Sequence, residues 1–277
     1  MGRKTLEEQT IKDDFMFGAV MKDPKKCKPL LEKILGVKIR KIEYPQLQKV
    51  LEHTMDAKSV RLDVYVEDDK QTIYNIEMQT TSQKCLPKRM RYYQGMIDLN
   101  IVEKGEDYSK LKKSYIIFIC DYDAFGKGRH VYTFENVCIE DSSIRFGDDA
   151  VKIVLNTQGT ADDVSEELKE VLHYIGGEKP NSDYTRELEN AVKEVKDSEE
   201  WRREFMTLFL HDKEIERLTK STIYVGLIRN NGSMTPEQMS SVFGIPVDFV
   251  DKALSLIREF PEKDDENIAE MLVENID

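Results

Sequence analysis

Two runs between residues 60 and 80 alternate apolar and polar side chains with period two, the pattern of strands with one packed face. In Val60-Arg61-Leu62-Asp63-Val64-Tyr65-Val66 the apolar side is Leu62, Val64 and Val66; in the run from Thr72 it is Tyr74, Ile76 and Met78. The polar stretch Glu67-Asp68-Asp69-Lys70-Gln71 between them predicts a β-hairpin. Leu86 to Val102 has helical periodicity, and Ser114 to Cys120 is an unbroken apolar run expected as a strand buried on both faces. Val131 to Val137 and Val151 to Leu155 are further strand candidates, and Lys38 to Tyr44 reads as a short strand ended by Pro45. Before these, residues 5–22 predict a helical entry anchored by Phe15, Phe17, Val20 and Met21, and Lys28 to Leu35 predicts a second helix stopped by Gly36.

From Asp162 the pattern is helical. Asp162 to Ile175 ends at Gly176-Gly177, and one long helix or a pair runs from Ser182 to about Lys220, with a core stripe through Leu188, Val192, Val195, Trp201, Phe205 and Leu208. Thr235-Pro236-Glu237-Gln238 carries the marks of a capped helix start, and Gly244 separates that helix from Val247 to Ile257. Helix, turn and helix invite a DNA-reading interpretation, but Asp248 and Asp251 on the second helix would repel phosphates, so a packing element is expected. The chain therefore divides into an α/β domain over 1–160 and an acidic helical region over 161–277.

Composition adds bounds. The 277 residues are 40% hydrophobic and 34% charged, as in a folded soluble protein, and no apolar run suffices for a membrane span. The N-terminus lacks a secretory core, and Met-Gly-Arg-Lys-Thr-Leu does not make a myristoylation signal, so a cytoplasmic location is expected. Cys27, Cys85, Cys120 and Cys138 form no Cys-x-x-Cys pair, and the four histidines show no ligand spacing; reduced thiols are expected, without zinc. The net charge of −12 argues against a polyanionic partner until it is divided. Residues 1–130 hold 25 basic and 20 acidic side chains, a net +5, whereas the remainder holds 16 and 33, a net −17.

The hairpin's polar face carries the candidate chemistry. A turn centred on Asp69 puts Asp63 across from Asn75, with Glu77 two residues further on the same side; a turn centred on Lys70 puts Asp63 directly across from Glu77. In either register Arg61, Asp63, Asn75, Glu77 and Gln79 share a face. Two carboxylates brought this close raise one another's pKa, and a hard cation such as Mg²⁺ removes the penalty. A solvated sheet face accounts for the same pattern.

A resemblance separates the two readings. Arg61-Leu62-Asp63-Val64, Tyr74-Asn75-Ile76-Glu77-Met78-Gln79 and Arg89-x-x-Tyr92-Tyr93 resemble the Rpn family of recombination-promoting nucleases, a transposase-related group within the PD-(D/E)-x-K nucleases. Asp14-x-x-Phe17, Gly105-Glu106-x-Tyr108-x-x-Leu111 and Tyr115 to Ile119 extend the match over about residues 10–130. The resemblance implies a restriction-endonuclease-like mixed sheet flanked by helices and Mg²⁺-dependent cleavage of DNA, with Mn²⁺ as a substitute. It makes Asp63, Glu77 and Gln79 the catalytic set, and Asp63, Glu77 and the Met78 carbonyl the metal ligands. A further acid comes from the first helices, Glu32 ahead of Asp14. Gln79 stands where the wider superfamily has Lys; Gln can only hydrogen-bond, which weakens the expectation of efficient cleavage. Arg61, Arg89 and Tyr92 are the expected substrate contacts, with Lys84, Lys88 and Arg91 nearby. Cutting both strands implies a homodimer. The alternative is a catalytically silent nuclease-fold module that binds DNA or a protein.

Overall fold

The apolar runs assemble into one sheet. The computed structural model describes residues 4–43, 46–51, 60–82, 84–102 and 104–274, and for residues 47, 48, 50, 51, 60, 61 and 274 the backbone only. Strands β1 (Gln46–Leu51), β2 (Val60–Glu67), β3 (Ile73–Gln79), β4 (Ser114–Cys120), β5 (Val131–Phe134) and β6 (Ala150–Asn156) lie in the order β1-β2-β3-β4-β6-β5. β1, β2 and β3 form an antiparallel meander, β3, β4 and β6 run parallel, and β5 returns antiparallel beside β6. A parallel β3–β4 pair needs a crossover, and helix α3 (Leu86–Leu99) supplies it. Its Leu86, Met90, Tyr93, Met96 and Ile97 pack on Ile73, Ile116, Phe118 and Cys120.

Helix α1 (Asp14–Met21) packs on β2 and β3. Every residue from Phe15 to Met21 is buried, as in a helix apolar all round. It is shorter than the expected entry from residue 5, because the preceding residues form turns in which Asp13 accepts from the Thr10 N–H and the Lys4 ammonium. Helix α2 (Pro24–Leu35) begins earlier than expected: Pro24 occupies the first turn, where no N–H is needed, and the Asp23 carboxylate caps Lys25. Of the expected strand over Lys38 to Tyr44, residues 38–43 form no ladder, and Tyr44 lies outside the described residues. Its described part makes one isolated bridge, Ile42 to Asp68, and the Ile39 N–H donates to the Glu32 carboxylate rather than to a ladder. The strand that pairs with β2 is β1, beyond Pro45.

Helices α4 (Glu166–Ile175) and α5 (Asp183–Asp197) pack against α2 and α1. The first compact unit consequently runs to Arg202, and the expected boundary near 160 lies inside it. Ser198 splits the long helical stretch, so that α6 spans Glu199–Asn230. The second unit, 203–277, packs the end of α6 with α7 (Pro236–Phe243), α8 (Val247–Glu259) and α9 (Asp265–Glu274) around Val225, Ile228, Met239, Val250, Ala253 and Ile268. Thr235 and Gln238 form the capping box of α7, and Gly244 takes φ +68° at the turn. Both helices of this pair spend their apolar faces on the unit's own core, while Asp248 and Asp251 are exposed. Among the described residues no helix is long and apolar enough to cross a membrane. All four cysteines are free thiols, and burial pushes Cys120 up to about 11 and Cys27 up to about 12.

Candidate active site

Strand β3 is buried from end to end, its polar positions included. Asn75, Glu77 and Gln79 are at most 5% exposed and Asp63 is 7% exposed, which excludes a solvated sheet face. The register follows the turn centred on Lys70: Val64 faces Ile76 and Tyr65 faces Asn75, and one further step puts Asp63 across from Glu77. Local chemistry sets that turn. The Asp68 carboxylate accepts from the N–H groups of Lys70 and Thr72, and Gln71 takes the left-handed conformation at φ +63°.

The two carboxylates interlock with the opposite strand. Glu77 Oε1 accepts from the Asp63 N–H at 3.1 Å, and Asp63 Oδ2 accepts from the Met78 N–H at 3.0 Å. Burial raises the pKa of Glu77 well above its ordinary value, and the charge of Asp63 raises it further. A positive group answers this. Arg89, in the first turn of α3, brings Nη2 to 3.8 Å from Glu77 Oε2. Its Nη1 donates to Gln79 Oε1 at 2.7 Å, while Nε and Nη2 donate to the Tyr93 hydroxyl at 3.0 and 2.6 Å. Tyr93 lies one helical turn after Arg89 on the same face, so the two side chains meet by helix geometry. Burial and the Glu77 charge push the Tyr93 hydroxyl up to about 12, which keeps it neutral. Gln79 uses both ends of its amide: its Nε2 donates to the Met78 carbonyl at 2.6 Å.

Asp63, Glu77, Gln79, Met78 and Arg89 are thus brought together, and other expected participants are not. The Glu32 carboxylate is engaged by the Ile39 N–H, Lys38 and Lys28, and these partners hold its pKa low although burial opposes them. Asp14 is exposed and accepts from the Phe15 N–H. Among the described residues no three His, Cys, Asp or Glu side chains cluster so as to hold an ion. Tyr92 is 40% exposed, and it is Tyr93 that holds Arg89. Lys84, Lys88 and Arg91 are exposed. Arg61 pairs with Val50 in the β1–β2 ladder, and its side chain lies outside the described residues.

Sequence reasoning missed Asp121. It follows β4 directly, donates its N–H to the Gln79 carbonyl, and has its carboxylate held by Lys12, Thr157 and Gln158. An acidic residue at the carboxyl end of an apolar parallel strand, where ligands of open α/β sheets gather, was the available signal.

No curated protein and no solved structure matches the chain. A family model does: residues 13–175 match the PD-(D/E)XK nuclease family transposase, which spans α1 to α4 and includes every member of the carboxylate–arginine cluster. With its mixed sheet, flanking helices and paired acids on the β2–β3 hairpin, the chain belongs to the PD-(D/E)XK nuclease family of transposases.

Proposed function

We propose that the chain is a metal-dependent DNA endonuclease, hydrolysing phosphodiester bonds at the Asp63–Glu77 pair in the cytoplasm in a role linked to DNA recombination. The observation that carries this reading is the buried convergence of two carboxylates across one hairpin, a repulsive arrangement that a cation relieves. The donor set fits Mg²⁺, with Mn²⁺ as a substitute: both side chains offer hard oxygens, and such ions take one or two carboxylates and complete their shell with water and substrate phosphate. The Met78 carbonyl, which accepts from the Gln79 amide, is a further hard oxygen beside the pair. When bound, a divalent cation supplies Lewis acidity toward a phosphate oxygen and lowers the pKa of a coordinated water.

The chain's own residues do the rest. Asp63 and Glu77 hold the cation, and the cross-strand N–H bonds fix their orientation before substrate arrives. Arg89, partly exposed at the mouth of the site, meets the negative charge of the phosphate; Gln79 and Tyr93 aim its guanidinium. Gln79 therefore serves the site by positioning a cation that sits on α3, where a lysine in β3 would carry the charge itself. Cleavage of both strands calls for two such sites, hence a homodimer.

The test is nicking of supercoiled plasmid with Mg²⁺ or Mn²⁺. Wild type is expected to nick and Asp63→Ala to be inactive. Equal cleavage by the two, or none by wild type with either metal, overturns the proposal. One observation favours a second reading, a silent nuclease-fold module that binds DNA or a protein: neither a third acid nor a β3 lysine joins the pair among the described residues. Salt-sensitive DNA binding without cleavage would establish it.

A further inference from the structure

A second feature lies on the same side of β2. A cleft of about 740 Å³ is lined by Lys49 of β1, Lys70 of the hairpin turn, and Lys110, Lys112 and Lys113 before β4. Two carboxylates line it as well, and both are engaged: Glu106 pairs with Lys110, and Glu67 is held by Lys112 at 3.3 Å and by the Tyr65 hydroxyl at 3.1 Å. Lys70 and Lys113 form no ion pair among the described residues, and Lys49 shares the charge of Glu67 with Lys112. Five lysines against two carboxylates leave the concavity net positive, and a positive concavity concentrates anions.

One aromatic, Tyr65, lines the cleft, and Tyr108 adjoins its lining residues Ser109 and Lys110. Lys49 Nζ stands 3.7 Å from the centre of the Tyr65 ring, a cation held over a π face. Tyr108 is 81% exposed on the short 3-10 turn (Tyr108–Lys110) whose Lys110 lines the cleft. Tyr65 connects the cleft to the carboxylate pair. It follows Asp63 by two residues on β2, so both point to one side of the sheet, about 7 Å apart along the strand.

We infer that this cleft binds the phosphodiester backbone of single-stranded nucleic acid leading away from the Asp63–Glu77 pair, with a base stacked on Tyr108. A cationic groove with an exposed aromatic is the arrangement that holds single strands, whose bases are free to stack, whereas a duplex hides its base faces. The link to the pair rests on the nuclease reading, but binding at the cleft is measurable without cleavage.

The experiment is fluorescence anisotropy of a labelled oligothymidylate in EDTA over a range of salt, with the full chain. Replacing Lys49, Lys70 and Lys113 together by Ala is expected to weaken binding on the order of ten-fold and to flatten the log K against log salt slope by about 2, since each phosphate contact on a single strand contributes about 0.7. The double variant Lys70→Ala with Lys113→Ala changes two exposed positions, spares the Lys49–Tyr65 packing, and should flatten the slope by about 1.4. Tyr108→Ala should weaken binding at every salt concentration with the slope unchanged, and Arg in place of the three lysines should restore it. Wild-type affinity and slope in both lysine variants overturn the inference. So does displacement of the oligonucleotide by an oligoglutamate peptide of equal charge, or preference for a duplex of the same length. Oligothymidylate binding that depends on the lysines in a wild type without nicking activity supports the cleft and removes the nuclease reading alone.

Discussion

Gln79 is the residue at which this site departs from the lysine of the wider superfamily, and its contacts give the departure a physical content. A glutamine accepts from Arg89 and donates to the Met78 carbonyl at once; a lysine has no acceptor for the guanidinium and would place a second cation beside it. Arg89→Ala is accordingly expected to lower plasmid nicking by roughly 10²- to 10³-fold, the range for removing one preorganised donor from a developing anion. Arg89→Lys should recover part of the loss, and Gln79→Lys should fall below wild type instead of improving on it. Wild-type nicking by Arg89→Ala would remove it from the site. Glu77 offers a test without substrate. The folded protein holds the Glu77 proton to higher pH than the unfolded chain does, so the folded state binds more protons as pH rises from its ordinary value of 4.5 to its raised one, and stability falls across that window. In EDTA, Glu77→Gln should therefore melt higher than wild type at neutral pH, with the advantage shrinking as pH falls toward 4.5. A pH-independent difference in melting temperature would contradict the buried pair.

Among the elements, β4 was legible and β1 was not. Ser114 to Cys120 is an uninterrupted apolar run, and it lies inside the sheet between β3 and β6. Gln46-Leu-Gln-Lys-Val-Leu has only a weak alternation, and its pairing with β2 is a property of the partner strand as much as of its own side chains. The same limit applies to the segment after β6, where Gly159 carries no sequence signal beyond being a glycine. A Cβ built there would lie 2.5 Å from the His130 ring and 2.9 Å from the His130 Cα. His130 is wholly buried and bonded to Asp163 at 3.0 Å, so it has little freedom to retreat. Gly159→Ala should destabilise the first unit by roughly 1–3 kcal/mol, as overpacking does. Urea unfolding followed by the fluorescence of the single tryptophan, Trp201, which packs edge-on against Phe15 in that unit, would read it. An unchanged midpoint would mean that the backbone yields.

For the molecule as a whole, charge is distributed against its own total. In a chain with net charge −12 the basic part, residues 1–130, holds the paired acids and Arg89, and the acidic excess lies beyond residue 130. At 0.1 M salt charges separated by more than about 10 Å are screened from one another, whereas at 0.01 M that distance is about 30 Å and the net negative charge repels nucleic acid. The dependence of DNA affinity on salt should consequently be steep near physiological ionic strength and flatten toward 0.01 M. A slope that stays constant over the whole range would show that the acidic part is not felt.

The sequence by itself determined the hairpin, the apolar centre of the sheet, the capped helices of the C-terminal region and the identity of the paired acids, because alternation, capping residues and turn chemistry act over a few neighbouring positions. Tertiary structure decided what depends on distant partners. It chose the register that sets Asp63 across from Glu77, a choice of one turn residue that periodicity leaves open. It buried the polar face of β3 beneath α3, carried the first unit to Arg202 by docking α4 and α5, and left Glu32 engaged elsewhere. It also brought Arg89 from the next element to Gln79 and Glu77, since only packing of the crossover helix on the sheet can aim a side chain across ten residues of chain at the strand before it.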